Sequence, residues 1–369
     1  MKQFKFTLLL VAAFSVLMTS CDTGPGIKYI QKNKALVLNQ GNYLSQDASV
    51  YVYDEDTKTM TPNAFARANN NTRLGATLMS GTYSNYGIGY LLCSQPDKIE
   101  VINVLTMKTL TNPIKTNLMN TREIALDHEY IYVTNAGSDY IELPNGFYEY
   151  TKSYVSIYNQ ANNNPVDTVH VGSDAQGLVV ANNAVYVGTK AGIVKLVKDG
   201  SSITKEDVYT DTEYTGAVKY LCYYNNTIYA TVPGYGILAY DPSSDRVLKR
   251  YSVPEIIGFD GYMTMDMEGN LYTFATNYAE QSSVVYKFNP ATEEVSQIFE
   301  GENLNSLGVS PYSGNIFTSE ANGFQTNSTI YITNPKQPLA NEMTTGGVGT
   351  FRYLFFTYYE EDKSEGEKK

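Results

Sequence analysis

The chain has no tryptophan, two histidines and three cysteines among 369 residues. So few histidines argue against a His-based catalytic zinc centre, and three cysteines cannot staple a scaffold of this length. Basic residues are also scarce: 27 Lys and Arg stand against 38 Asp and Glu, for a net charge of −11. That balance speaks against a nucleic-acid or polyphosphate partner held on a broad basic face, because phosphate binding draws on Lys and Arg. Beyond the N-terminus no apolar run approaches the ~20 residues of a transmembrane helix. What the sequence has instead is tyrosine, with 33 Tyr beside 14 Phe. Tyrosine favours strands, and its polar tip suits half-buried sheets and aromatic binding surfaces. Hydrophobic residues make up 43% of the chain, enough for a sizeable core.

Residues 1–20 read as a secretory leader. Lys2 and Lys5 open it, and an apolar run from Phe6 to Met18 follows, too short for a stable membrane span. The leader ends in Met18-Thr19-Ser20-Cys21, which resembles a bacterial lipobox, with Met18 where Leu is usual. The resemblance implies cleavage before Cys21 and acylation of its thiol. Each buried CH₂ of an acyl chain would then contribute about 0.8 kcal/mol to membrane attachment. Residues 21–29 read as a tether and residues 360–369 as a charged, disordered tail.

Between them, residues 30–359 repeat. Short β-rich runs are separated by Gly, Asn, Asp and Pro, and helical periodicity is hard to find. One kind of strand recurs seven times, centred on Val37, Leu91, Tyr132, Tyr186, Tyr229, Tyr272 and Phe317. A second follows each of them, ending at Tyr53, Ile102, Tyr158, Leu196, Tyr240, Phe288 and Ile332. Polar turns such as Asp241-Pro242-Ser243-Ser244 come next, then a further short strand. Four strands in each unit and seven units predict an all-β fold, a seven-bladed β-propeller of four-stranded antiparallel blades.

Tyr132-Val133-Thr134-Asn135 matches the signature of the YVTN propeller repeat, and Val37-Leu38-Asn39 and Ala275-Thr276-Asn277 are degraded copies. With the opening from Leu36 to Tyr43 and Val50 to Asp54, the chain resembles YncE-like surface lipoproteins of Bacteroidetes. Within that group the resemblance extends to BtuG-type propellers. It implies capture of cobalamin at the cell surface, transfer to a TonB-dependent transporter, and an outer-membrane location through the lipid anchor alone. No cofactor is expected, so a corrinoid would be a bound ligand.

In a propeller the loops between second and third strands share one face with the inter-blade segments, around the channel mouth. Those loops and segments supply the candidate ligand-binding set: Asn42, Tyr43, Gln95, Arg122, Asn135, Tyr140, Gln176, Tyr235, Tyr262, Asn277, Tyr278, Asn322 and Phe324. Tyr offers a rigid ring with a hydroxyl, and Asn and Gln offer donors and acceptors together. Such a rim suits a large, flat, polar-edged molecule, a corrinoid or a glycan face. Structural roles compete at several positions. The strand-end Asn39, Asn135 and Asn277 can cap turns, the loop tyrosines can pack internally, and Arg122 can pair with Glu123.

No catalytic or metal residue emerges. His128 lies in a turn and His170 in a strand, and HExxH, GxSxG and P-loop patterns are absent. The expected role is therefore a non-enzymatic surface receptor. A protein-interaction or surface-layer scaffold is the alternative. A polysaccharide lyase or hydrolase using Glu280 or Glu320 stays open, since carboxylates can converge across blades. Cys93 and Cys222 read as buried thiols, and the sequence does not say whether they bridge.

Overall fold

The computed structural model describes residues 29–361 apart from 145, 200, 201, 210–212, 214–216 and 336. The leader, Cys21, most of the tether and residues 362–369 lie outside the described residues. The chain divides into two compact units. One is Lys34–Phe355; the other holds the chain up to Asn33 and from Phe356. In the small unit the Thr357 hydroxyl donates to the Lys32 carbonyl at 3.0 Å.

Among the described residues the large unit is a succession of seven antiparallel sheets, as the repeat predicts, with one two-stranded hairpin besides. The recurring strands are Tyr29–Asn39, Ile88–Ser94, Tyr130–Asn135, Ala184–Thr189, Thr227–Val232, Leu271–Asn277 and Ile316–Glu320, each second in its sheet. Two of these, Tyr130–Asn135 and Ala184–Thr189, bury every residue. Burial on both faces requires a neighbour on each side. Tyr132, Val155 and Ile157 of the third sheet meet Val185, Val187 and Val194 of the fourth. Tyr186 of the fourth then meets Ile228, Leu238 and Tyr240 of the fifth. Outer strands such as Pro165–Gly172 alternate between exposed and covered positions, because only one side has a neighbour.

The recurring tyrosines carry their hydroxyls to turns. Tyr132 donates to Asp127 at 2.8 Å and Tyr272 to Asp266 at 3.0 Å, while Tyr186 donates to the Pro242 carbonyl at 3.0 Å. This is how a polar-tipped ring tolerates full burial.

Two features depart from a uniform repeat. The second sheet has three strands; where a fourth belongs, Ile99 and Ile102 make isolated bridges to Ile114 and Thr109, and Pro113 between those two cannot donate to a ladder. The first sheet takes its innermost strand, Thr350–Glu361, from the other end of the chain. That strand includes Glu360 and Glu361, so ordered structure continues two residues into the predicted tail.

A hairpin, Tyr140–Glu142 with Tyr148–Tyr150, is inserted in the third repeat and accounts for its extra length. Cys93 and Cys222 are free, and burial pushes each thiol up to about 12.

Candidate functional site

One cavity of ≈ 630 Å³ is lined by strand residues of five sheets of the large unit and by the segments that lead into the fourth and fifth. Gln40, Met79, Arg122, Gln176, Tyr220, Tyr262 and Asn305 each represent one repeat in order, Gln40, Gln176, Tyr220 and Tyr262 from segments next to its strands. Only a position on the common axis can be reached from every repeat, so this is the channel mouth. A second cavity of ≈ 510 Å³ adjoins it and shares Gln40, Met79, Arg122 and Phe324. A further cavity of ≈ 600 Å³, lined by Tyr51, Phe65 and Arg73 among others, draws only on the first and seventh sheets and the segment after the first.

Nine of the thirteen residues picked out in the sequence line the two joined cavities. Arg122, Gln176, Tyr262, Tyr278, Asn322 and Phe324 line the larger one. Asn42, Tyr43 and Gln95 line the smaller, together with Tyr150 of the inserted hairpin. Tyr43 and Tyr278 are 62% and 69% exposed, so their rings are not committed to internal packing. Asn42 reaches across the seam of the first and seventh sheets, donating to the Phe324 carbonyl at 2.9 Å. That bond fixes Phe324 between the two cavities.

The other four lie elsewhere, each for a visible reason. Asn135 is fully buried and ties its own sheet together, donating to the Val133 carbonyl and to Ser156 Oγ at 3.0 Å each. Asn277 caps its turn, accepting from the Ala279 amide at 3.1 Å. Tyr235 packs against the core between the fourth and fifth sheets. Tyr140 is carried away by the hairpin and meets Tyr148 edge-on at 4.9 Å. Glu280 and Glu320 line neither cavity, and Glu320 accepts from the Glu302 amide at 3.0 Å.

The competing structural role for Arg122, an ion pair with Glu123, is not the arrangement found. Glu123 does not pair with Arg122. It accepts from Arg352 Nη1 at 2.6 Å, and Ser80 bridges the two. Arg352 comes from the C-terminal strand, with the rings of Tyr220, Tyr262 and Phe351 each 5.9 Å from its guanidinium carbon. Arg352, Tyr220 and Asp260 were not legible as site residues. The one sequence signal for Arg352 is a charge set inside the aromatic run Phe351 to Phe356.

Lys219 lies beside this group. A Cβ at Gly261 would fall 2.7 Å from the Lys219 Cβ, so glycine there leaves room for the lysine stem. Among the described residues its amine forms no ion pair, and burial pushes its pKa down, against the pull of Asp174 and Asp260. A base whose folded pKa is depressed costs stability while charged. That cost is full below the depressed pKa and disappears as pH rises past the ordinary value. Lys219→Met keeps the stem and removes the charge. It is expected to melt at the same temperature as the parent or higher at pH 7, with the gap closing as pH approaches 10.5. Thermal melts at both pH values check this, and a clear loss of stability at pH 7 would show a favourable pairing.

No protein-family model matches the chain, and no curated protein does. Solved structures do. A candidate 6-phosphogluconolactonase from Bacteroides uniformis matches with a TM-score of 0.61 at 11% identity, over 88% of this chain and 99% of that one. The periplasmic gluconolactonase PpgL of Pseudomonas aeruginosa gives 0.61 at 11%, over the same shares. Apo AztD from Citrobacter koseri gives 0.56 at 10%, over 89% and 99%. These matches overturn the expectation that the chain is not an enzyme. That expectation leaned on a propeller without a familiar catalytic motif, and propellers of this fold include proteins described as lactonases. The chain is similar in fold to the lactonase and AztD propellers.

Proposed function

We propose that the channel mouth captures a polar-edged small molecule, and that its ligand is a corrinoid. The observation that carries the reading is the pair of joined cavities, ≈ 630 and ≈ 510 Å³, walled by aromatic rings and side-chain amides. Each is within the ~300–1,000 Å³ usual for small-molecule sites. A large flat ligand would span both, with Phe324 and Tyr278 against its faces and Gln40, Gln176 and Asn322 at its edges. The lipobox ending in Cys21 supports display on the outer membrane by an acyl anchor. From there the ligand would pass to a TonB-dependent transporter.

Equilibrium dialysis of the purified protein against cobalamin tests the ligand directly. A pink complex of one cobalamin per chain is expected, and no retention would remove the corrinoid. Lactone hydrolysis is the second reading. Lys219 favours it, as an amine with a lowered pKa that forms no ion pair among the described residues, beside Asp260 of the cavity wall. Acid release from glucono-δ-lactone, lost in Lys219→Met, would support that reading over capture.

A further inference from the structure

Arg122 is the cation where the two cavities meet. Among the described residues its side chain makes no hydrogen bond and no ion pair, and its Nε is buried without a partner. The carboxylate next to it in sequence is already taken, since Glu123 is held by Arg352 and Ser80. Asp174 and Asp260 act on nearby Lys219 but form no ion pair with Arg122. The ring of Tyr150 lies 5.5 Å from the guanidinium carbon. A guanidinium over a ring still has its in-plane N–H edge available, the edge that meets a carboxylate or phosphate two bonds at a time. Arg122 is half-buried in the wall of both cavities, so an incoming anion would meet its guanidinium there and give it the counter-charge it lacks among the described residues.

We propose that Arg122 is an oxyanion clamp, taking one carboxylate or phosphate group of the captured molecule at the junction of the two cavities. The inference rests on the reading of this face as a small-molecule site, and it adds the chemistry of the ligand. Lys219 supplies a second positive charge on the same side, and the Tyr150 hairpin sets the orientation of the fork.

Three probes of similar shape test it: benzoate, phenyl phosphate and the neutral benzamide, titrated into the full chain by calorimetry. At least one anion is expected to bind more tightly than benzamide by roughly 10- to 100-fold, the range for a charged hydrogen-bonded contact. Benzoate and phenyl phosphate separate the two anion sources. Arg122→Gln is expected to abolish the preference, and Arg122→Lys to restore part of it, keeping the charge without the fork. Because among the described residues Arg122 has no hydrogen-bonded or ionic partner to lose, Arg122→Gln should cost no more than its ring contact with Tyr150 and melt close to the parent. Equal binding of benzamide and both anions, an unchanged preference in Arg122→Gln, or a marked loss of stability in that variant would overturn the clamp. Cobalamin dialysis reads the capture proposal separately. Retained cobalamin without an anion preference sinks only the clamp, and an Arg122-dependent preference without retained cobalamin sinks only the corrinoid.

Discussion

Arg352→Ala is expected to lower the unfolding free energy by about 3–5 kcal/mol, the cost of breaking a buried ion pair from one side. The side chains of Arg352 and Glu123 are only 12% and 13% exposed. Burial works against the arginine charge, and Glu123 with the nearby phenols holds it in place. Removing the guanidinium strands the carboxylate and takes away a donor to Ser80 Oγ at 2.5 Å. It also withdraws the cation from the rings of Tyr220 and Tyr262, both in the cavity wall. Urea unfolding measures the loss. The paired change Arg352→Met with Glu123→Gln should recover much of it, because no charge is then left buried alone. A single variant as stable as the parent would show that solvent reaches the pair freely.

Truncation after Gly349 should have a still larger effect and abolish cooperative unfolding. It removes Thr350–Glu361, the inner strand of the first sheet. Within the large unit that strand joins three sheets. Thr350 Oγ1 donates to Asn39 Oδ1 at 2.6 Å in the first. The Phe355 carbonyl accepts from Tyr83 of the second at 2.6 Å, and the Thr350 carbonyl accepts from Ser319 of the seventh at 2.9 Å. Tyr353 packs with Phe317 in the core between the seventh and first sheets. Losing these contacts together with the other apolar residues of the strand is comparable to the ~5–15 kcal/mol by which domains are usually stable. Circular dichroism through a urea series is the measurement. A single sharp transition in the truncated chain would mean that the sheets hold together without this strand.

The sequence made the second and third strands legible because they are buried on both sides. Burial of that kind leaves near-continuous apolar runs such as Ile131-Tyr132-Val133. The innermost strands of the third to sixth sheets are shorter or half-polar. Thr121–Leu126 has only two buried residues, so it carries little pattern. The partnership of Thr350 with Asn39 joins residues from opposite ends of the chain, and no local signal marks it. The candidate site divides in the same way. Loop residues such as Asn42, Tyr278 and Phe324 could be placed from their position after a recognised strand. Arg352, Tyr220 and Asp260 come from inner strands and inter-blade segments, whose register is set only by packing. Asn135 and Asn277 show the opposite error, strand-end amides drawn into backbone hydrogen bonds and so unavailable at the rim.

The central claim is that ligand enters at the channel mouth. Cobalamin isotherms of three proteins test it most directly: the parent, Phe324→Ala at the junction of the joined cavities, and Arg73→Gln in the separate ≈ 600 Å³ cavity. Binding by the parent is expected, weakened at least about tenfold by Phe324→Ala and unchanged by Arg73→Gln. No binding by the parent, or weakening by Arg73→Gln with Phe324→Ala unaffected, would contradict it.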